Sequence, residues 1–338
     1  MKAIGLTRYL PISDPDSLIE FDLPKPVPGV KDLLVRVEAV SVNPVDTKVR
    51  APKPAVEATP KILGWDAAGV VEAIGPEVTL FKVGDPVYYA GTLDRQGTNA
   101  EFHLVDERIV GHKPNSLSFA EAAALPLTSI TAWELLFDRL GVTSGELPNS
   151  GHLLIIGGAG GVGSILIQLA RHLTGLTIIA TASRKETREW CLELGAHHVI
   201  DHAQPINEEL KRIGISEVEH VASLTATEHH FQAIVEAIRP QGKFAVIDDP
   251  KTLDVTAFKR KAVSTHWEFM FTRPLYKTPD MIAQHRLLNE IARLIDTEVI
   301  RTTLADHFGT INAANLKKAH ALIESGKSRG KIVLEGWR

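Results

Sequence analysis

The chain has 338 residues and a formal net charge of −4, with 44% hydrophobic and 23% charged residues. This length favours two domains, and the mild negative charge lacks the basic footprint that binds nucleic acid or an anionic membrane surface. Cys191 is the single cysteine, which excludes an internal disulfide and a metal site built from several cysteines. Because neither a signal-peptide pattern nor an apolar stretch of membrane-spanning length occurs, we expect a cytoplasmic protein without membrane or nucleic-acid partners.

The first third of the sequence is predicted to be rich in strands and turns. Proline and glycine clusters, such as Gly84-Asp85-Pro86, separate short apolar or alternating runs. Several short strands at this spacing predict a compact β-barrel-like domain. The predicted strands are Met1–Thr7, Leu33–Val42, Ala67–Ile74, Asp85–Ala90 and Ala100–Val105.

A change of pattern near Ser118 marks the start of helical structure. Ser118 and Glu121 have the spacing of a capping box, and Ser129–Leu140 shows an amphipathic helical pattern. Strands and helices then alternate, which predicts an α/β fold with a parallel, doubly wound sheet. The predicted strands are Leu153–Gly158, Thr177–Ser183, His198–Asp201, Val218–Leu224, Lys243–Asp248 and Val263–Phe271, and the predicted helices are Val162–Leu173, Lys185–Leu194, Asn207–Ile213 and Glu228–Ile238.

The last part of the sequence returns to a mixed pattern. It predicts a helix at Pro279–Asp296, a strand at Thr302–Ala305, a helix at Ala313–Ser325 and a strand at Lys331–Glu335. A tail of this kind is able to rejoin the first domain, and the residues alone leave open whether it does.

The stretch His152–Gly163, HLLIIGGAGGVG, predicts a buried strand, a glycine turn and the start of a helix. Gly158, Gly160 and Gly163 have G-x-G-x-x-G spacing. In such a turn the first glycine allows the sharp bend, the second lets the backbone approach a pyrophosphate, and the third lets the helix pack on the strand. The helix N-terminus adds free N–H groups and a positive dipole end. The residues predicted to bind a dinucleotide are Gly158, Gly160, Gly161, Val162 and Gly163; the alternative is a glycine-rich turn without a ligand.

The end of the second strand of this domain predicts which nicotinamide cofactor is used. Enzymes that prefer NAD usually carry an acidic residue there, about 20 residues past the glycines, which binds the ribose 2′-hydroxyl. Here Ser183 and Arg184 occupy that position. A serine hydroxyl donates to a 2′-phosphate and a guanidinium pairs with it, so we predict NADPH. The alternative is that Ser183 caps the next helix and Arg184 is an ordinary surface residue.

Five motifs spread along the chain carry a family resemblance. They are NPVDTKVR at 43–50, DAAGVVEAIG at 66–75, KVGDPVY at 82–88, GGAGGVG at 157–163 and SGKSRGKIVL at 325–334. Together they resemble the medium-chain dehydrogenase/reductase superfamily, and within it the zinc-independent quinone oxidoreductase branch, which includes zinc-type alcohol dehydrogenase-like chains. The resemblance implies a GroES-like, β-rich catalytic domain at 1–122, completed by the tail 300–338, and a Rossmann NADP-binding domain at 123–299.

The sequence departs from the zinc-dependent members of that superfamily at every ligand position. Asn43 stands near the place of their catalytic cysteine, and Gly64-Trp65-Asp66 replaces their Gly-His-Glu. Zinc needs three or four converging nitrogen, sulfur or oxygen ligands, so we predict no metal. Without a Lewis acid, the favoured reaction is hydride transfer to an acceptor that is already electron-poor, such as a quinone or an α,β-unsaturated carbonyl.

The resemblance also implies candidate active-site residues. Asn43 and Asp46 follow a strand on a loop that faces the nicotinamide in related quinone reductases. Asn43 is predicted to donate its amide to the substrate or cofactor, and Asp46 to orient its neighbours; the alternative is a plain turn that begins with Asn-Pro. Four further positions match cofactor contacts of relatives: Thr131, Phe269, Phe271 and Lys331. The alternative for Thr131 is an ordinary threonine at a helix N-terminus, and that for Lys331 is a surface lysine. The alternative for Phe269 and Phe271 is apolar packing or a subunit edge.

The sequence thus predicts an NADPH-dependent reductase of quinones or enones that acts on a small molecule. A zinc-free alcohol or aldehyde reductase is one alternative, and an NADPH-binding protein with little catalysis, structural or redox-sensing, is the other. The sixth predicted strand is apolar and has the character of an edge strand, and relatives commonly dimerise through such a strand. We therefore predict a homodimer.

Overall fold

The computed structural model describes residues 1–145 and 151–337. The chain divides into two compact units. Unit 1 contains residues 1–130 and 271–338, and unit 2 contains residues 131–270. Residues 146–150 and Arg338, which the sequence places in the nucleotide-binding domain and the tail, lie outside the described residues. The assignment of catalytic and NADP-binding domains to 1–122 with 300–338 and to 123–299 stays a prediction.

The strands are numbered in chain order. They are β1 Lys2–Tyr9, β2 Ile19–Asp22, β3 Asp32–Val42, β4 Lys53–Ile62, β5 Ala67–Ile74, β6 Pro86–Tyr89, β7 Phe102–Asp106, β8 Val110–His112, β9 His152–Ile156, β10 Thr177–Thr181, β11 His198–Ile200, β12 Val218–Ser223, β13 Ile238–Val246, β14 Ser264–Trp267, β15 Leu304–His307 and β16 Lys331–Glu335.

The helices are numbered in the same way. They are α1 Pro44–Arg50, α2 Phe119–Ala123, α3 Pro126–Trp133, α4 Gly161–Leu173, α5 Lys185–Glu193, α6 Ile206–Arg212, α7 Thr227–Ala237, α8 Thr272–Tyr276, α9 Ala283–Asp296 and α10 Ala313–Glu324. A π-helix covers Glu134–Arg139, and short 3₁₀ helices cover Glu107–Ile109 and Val255–Lys261. No helix in the described part of the chain is long and apolar enough to cross a membrane.

Unit 1 is built on a seven-stranded sheet in which the last strand of the chain lies beside an early one. The main path has the order β15-β16-β3-β5-β6-β8, and β7 also pairs with β3. β16 runs antiparallel to β3, with Ile332 opposite Val42 and Leu334 opposite Val40. A smaller sheet has the order β2-β1-β4. The C-terminal tail therefore does rejoin the β-rich N-terminal part of the chain.

Unit 2 is a parallel sheet with helices between its strands. The strand order is β11-β10-β9-β12-β13-β14, and every pairing in it is parallel. The order runs outward in both directions from β9, the strand that enters the glycine turn, which is the arrangement of a doubly wound fold. Buried side chains of the strands and helices, among them Leu154, Val221, Ile234 and Phe244, form its core. The predicted α/β fold with a Rossmann-type sheet is confirmed.

The structure corrects several predicted elements. The helix predicted at Ser129–Leu140 is two elements: α3 begins earlier, at Pro126, and continues into the π-helix. Proline suits the first turn of a helix, because the N–H it lacks has no partner there. The sixth strand ends at Trp267 instead of Phe271. α1 and β4 were missed, since α1 is a single short helix and the run that contains Pro54 and Pro60 reads as a loop.

Candidate active site

The turn that follows β9 has the geometry of a phosphate-binding loop. Gly157 has a φ of +87°, a left-handed conformation that favours glycine. The sharp bend therefore lies at Gly157, one residue before Gly158, to which the sequence assigned it. Thr181, at the end of β10, fixes the turn, because its hydroxyl accepts from Gly157 N at 3.0 Å and its carbonyl accepts from Gly158 N at 3.2 Å.

The other glycines of the turn differ in the space around them. A Cβ at Gly163 would lie 2.5 Å from the carbonyl oxygens of Gly157 and Gly158, so glycine is required for the helix to approach the strand. A Cβ at Gly158 would lie 2.7 Å from the Cβ of Ala180. At Gly160 the nearest atom would be 3.6 Å away. The protein itself leaves the space beside Gly160 open, as a loop that approaches a ligand should.

The first turn of α4 lies next to that space. Gly160 is its N-cap residue, and Gly161 and Val162 are half-buried while Gly160 is exposed. The first N–H groups of a helix have no partner within the helix, and the dipole places positive charge at this end. The turn and the helix start together fit the pyrophosphate of a dinucleotide, with Gly158, Gly160, Gly161, Val162 and Gly163 as the residues that would hold it.

The segment after β10 carries no acidic side chain where NAD-preferring folds have one. Ser183 and Arg184 are both exposed. The N-cap residue of α5 is Arg184, and no side-chain capping bond is present there. The alternative that Ser183 serves as the cap of this helix is therefore not what the structure has. A hydroxyl and a guanidinium at this helix start suit an anion.

A cluster of four polar side chains is buried in unit 1, where β3, β5 and β16 adjoin. Asn43 follows β3, Asp46 lies in the first turn of α1, Asp66 precedes β5, and Lys331 is the first residue of β16. All four side chains are buried, with at most 2% of each residue exposed. Burial of this many polar groups requires that they satisfy one another.

Hydrogen bonds engage every polar atom of the Asn43 side chain. Its Nδ2 donates to Asp66 Oδ2 at 2.8 Å, with Trp65 O at 3.3 Å as a further acceptor. Its Oδ1 accepts from Lys331 Nζ. Lys331 Nζ also donates to Asp66 Oδ2 at 2.9 Å. An amide held in this way orients its neighbours, so the geometry favours a positioning role for Asn43; its predicted contact with substrate stays a prediction.

The two carboxyl groups of this cluster have raised pKa values. Burial raises the pKa of Asp46 to about 7, although Asn43 N donates to its Oδ2 at 2.8 Å. Burial also raises the pKa of Asp66, against the lowering effect of the Lys331 charge. Asp46 closes the capping box of α1, which agrees with its predicted role of orienting neighbours; that role remains untested.

The residues present do not fit zinc. The ammonium of Lys331 lies against the oxygens of Asn43 and Asp66 that a metal ion here would use. Trp65 offers no ligand where the zinc-dependent enzymes have histidine. Within 1–145 and 151–337, no group of three or more His, Cys, Asp or Glu side chains could hold a metal ion.

The remaining candidate residues lie in different surroundings. Thr131 is buried in the last turn of α3, so it is not the N-terminal helix threonine of the alternative. Phe271 is buried and packs edge-on against Trp65, with 6.5 Å between ring centroids. Phe269 is 46% exposed. Lys331 directs its three N–H donors at Val42 O, Asn43 Oδ1 and Asp66 Oδ2, so it is not the surface lysine of the alternative reading. Contacts of all four with a cofactor stay predictions.

Sequence reasoning missed the pairing of Asp66 with Lys331. The signal available was the replacement of Gly-His-Glu by Gly64-Trp65-Asp66, which keeps an acidic residue beside a buried strand. An acid that cannot reach water needs a cation or a proton, but nothing in the sequence pairs Asp66 with the lysine 265 positions later, which was predicted only as a cofactor contact.

Comparisons with known proteins agree with this fold. The family model for the alcohol dehydrogenase GroES-like domain matches residues 29–132, and the model for zinc-binding dehydrogenases matches residues 194–334. A zinc-type alcohol dehydrogenase-like protein of Staphylococcus aureus strain MSSA476 is 41% identical over 336 residues, which cover 99% of each chain.

Two solved structures extend the comparison. A protein provisionally assigned as a zinc-dependent alcohol dehydrogenase from Rhizobium etli CFN 42 is 57% identical, with a TM-score of 0.96 over 100% of this chain and 98% of its own. The quinone oxidoreductase of Coxiella burnetii is 26% identical, with a TM-score of 0.80 over 100% of this chain and 99% of its own. The chain therefore belongs to the medium-chain dehydrogenase/reductase superfamily of oxidoreductases, in its quinone oxidoreductase-like branch.

Proposed function

We propose that this protein is a zinc-independent, NADPH-dependent reductase that transfers hydride to quinones or α,β-unsaturated carbonyl compounds. The observation that carries the proposal is the glycine turn. The space beside Gly160 is open, α4 begins there, and Ser183 and Arg184 stand where an acid would select NAD. The substrate is a small-molecule acceptor, and neither nucleic acid nor a membrane is a partner. A cytoplasmic location stays a prediction.

The chemistry follows from what the residues supply. A bound nicotinamide provides the hydride, and the protein supplies binding, orientation and the exclusion of water. Gly160, Gly161 and Val162 would hold the pyrophosphate, and Arg184 would pair with the 2′-phosphate. The negative charge that develops on an acceptor carbonyl oxygen needs only hydrogen-bond donors or water, because a quinone or enone is already electron-poor. Asp66 and Lys331 keep Asn43 fixed instead of holding an ion.

A screen of NADPH consumption over quinones, enones, aldehydes and simple alcohols tests the proposal. We expect the highest kcat/KM with a quinone or an enone, and a lower value with NADH than with NADPH. Activity confined to aldehydes or alcohols would favour the zinc-free alcohol or aldehyde reductase. NADPH binding without turnover on any of these compounds would favour the binding protein.

Two further properties belong to the proposal. Metal analysis of protein purified without chelator should find no zinc, and one zinc per chain would contradict the assignment. β14 is an edge strand of its sheet, and Trp267 on it is 57% exposed. The unpaired N–H and C=O groups of an edge strand can pair with another copy, and the exposed Trp267 adds an apolar contact. Light scattering should therefore give the mass of a homodimer; the mass of a monomer would contradict it.

A further inference from the structure

Two buried glutamates in unit 2 share one arginine. Glu134 begins the π-helix, Arg139 ends it, and Glu268 directly follows β14. Glu134 and Glu268 have fully buried side chains, and that of Arg139 is 30% exposed. Arg139 Nε donates to Glu268 Oε2 at 2.8 Å, and Arg139 Nη2 lies 3.9 Å from Glu134 Oε2. We call Glu134 and Glu268 the carboxyl pair, and Arg139 its arginine.

The carboxyl pair has more acid than its arginine can neutralise. Burial raises the pKa of Glu268 to about 9, and the charge of Glu134 and a hydrogen bond with it add to the shift. At neutral pH the two acids therefore hold one proton between them, and with Arg139 the group has no net charge. Loss of that proton would leave two buried carboxylates beside one arginine, and their repulsion would weaken the contact between the π-helix and Glu268.

Three charged or titratable side chains on the neighbouring strands lie near the carboxyl pair and its arginine. They are His220 on β12, Lys243 on β13 and His266 on β14. Burial lowers the pKa of His220 to about 4 and also lowers that of His266, with the Arg139 and Lys243 charges adding to the effect on His266. Both histidines are therefore neutral at pH 7. Lys243 Nζ donates to Leu140 O at 2.7 Å, just past the π-helix.

The position of the carboxyl pair gives it a consequence for the site. The π-helix contains a backbone bond from Leu140 N to Leu135 O, five residues back, at 2.9 Å, and π-turns recur at functional positions. Glu268 is covalently followed by Phe269 and Met270. Phe269 belongs to the segment that is predicted to meet the nicotinamide. The N–H of Glu268 donates to Val246 O at 3.0 Å, so the side-chain bond to Arg139 is a second tie that holds the start of this segment.

We propose that Glu134, Arg139 and Glu268 are positioning residues for the cofactor, because the bond from Arg139 to Glu268 ties the start of the segment 269–270 to the π-helix. This inference rests on the proposed binding of NADPH. It assigns a role to three residues that lie outside the glycine turn and outside the cluster around Lys331. Their effect should appear as a change in NADPH affinity that depends on whether the proton is held.

The test is NADPH titration by fluorescence with wild type, Glu268→Gln and Glu268→Ala. A glutamine donates to Glu134 and accepts from Arg139 at any pH, so its Kd at about pH 7 should stay within about threefold of wild type, while alanine should weaken binding by about tenfold or more. Between about pH 7 and pH 10, the wild-type Kd should rise by about tenfold and that of Glu268→Gln by less than about twofold. Glu209→Gln, which alters a glutamate–arginine pair of the same unit whose arginine is exposed, should follow wild type.

Each outcome decides the proposal. Binding by Glu268→Ala within about twofold of wild type, or a pH profile of Glu268→Gln like that of wild type, would overturn it. Should the alanine variant fail to fold by circular dichroism, the pH profile of Glu268→Gln decides alone. A wild-type protein without affinity for NADPH at pH 7 would overturn the proposed function and this inference together, whereas normal wild-type binding with either result above overturns the inference only.

Discussion

Two alanine substitutions in the glycine turn should separate folding from cofactor binding. Gly160→Ala places a methyl group where the nearest protein atom is 3.6 Å away, and the backbone there, with φ −71° and ψ 176°, accepts alanine. The free energy of unfolding should change by less than about 1 kcal/mol, since alanine is a poorer N-cap but stiffens the unfolded chain. The same methyl group occupies the space that we assign to the pyrophosphate.

Gly163→Ala should have the opposite effect. Its methyl group would lie 2.5 Å from two backbone oxygens that cannot rotate away. Overpacking of this kind typically costs about 1–3 kcal/mol, or roughly 2–12 °C in Tm for a domain of this size. The matched pair therefore predicts a stable variant that binds poorly and an unstable variant whose defect begins with folding.

Calorimetry checks both halves of this prediction. Scanning calorimetry without cofactor should find the Tm of Gly160→Ala close to that of wild type and the Tm of Gly163→Ala clearly lower. Titration with NADPH should give Gly160→Ala a Kd at least about tenfold higher than wild type, equivalent to about 1.4 kcal/mol. A Gly160→Ala protein with unchanged affinity would refute the reasoning, because the pyrophosphate could then not lie against this turn.

Three further substitutions test the other parts of the site. Arg184→Ala should reduce the ratio of kcat/KM for NADPH to that for NADH by about tenfold, because a guanidinium–phosphate pair is lost; an unchanged ratio in steady-state assays would exclude its role. The pKa of Asp46 is raised to about 7 in the folded protein, so between its unfolded value near 4 and pH 7 the folded state holds a proton that the unfolded state lacks. Wild-type stability should therefore fall as pH rises through that window, and chemical denaturation of Asp46→Asn should show less of this fall; equal slopes would contradict the assignment. Asn43→Ala removes a partner from two buried charges and should lower stability by about 1–3 kcal/mol; kcat/KM within about twofold of wild type, measured where the variant is folded, would exclude a direct donor role.

Much of the fold could be predicted because local patterns agree with it. β5 and β16 have the predicted bounds, Ala67–Ile74 and Lys331–Glu335. The capping box at Ser118 forms as predicted, with Glu121 N donating to Ser118 Oγ at 3.2 Å and Ser118 N donating to Glu121 Oε2 at 2.9 Å. Such features depend on residues that are near one another in sequence, so one short window contains the whole signal.

The parts that could not be predicted depend on contacts between distant residues. The π-helix cannot be told from an α-helix by periodicity over six residues, and the side chain of Glu268 bonds with a residue 129 positions earlier in the chain. In the candidate site, the glycine turn was predicted from spacing, whereas the engagement of Asn43 by Asp66 and Lys331 needs three strands to be brought together. A single sequence shows which polar residues are available, and only the fold shows which of them satisfy one another.

The antiparallel pairing of β16 with β3 has a consequence for how the protein is made. Unit 2 is one continuous stretch of chain, so it can fold on the ribosome as soon as that stretch has emerged. Unit 1 cannot, because β16, a strand inside its main sheet, is synthesised after unit 2. Until β16 has been synthesised, Asp66 lacks Lys331, the cation that pairs with it in its buried position. A premature stop codon before residue 331 would therefore remove more than one strand. It would leave residues 1–130 without the strand that completes their main sheet.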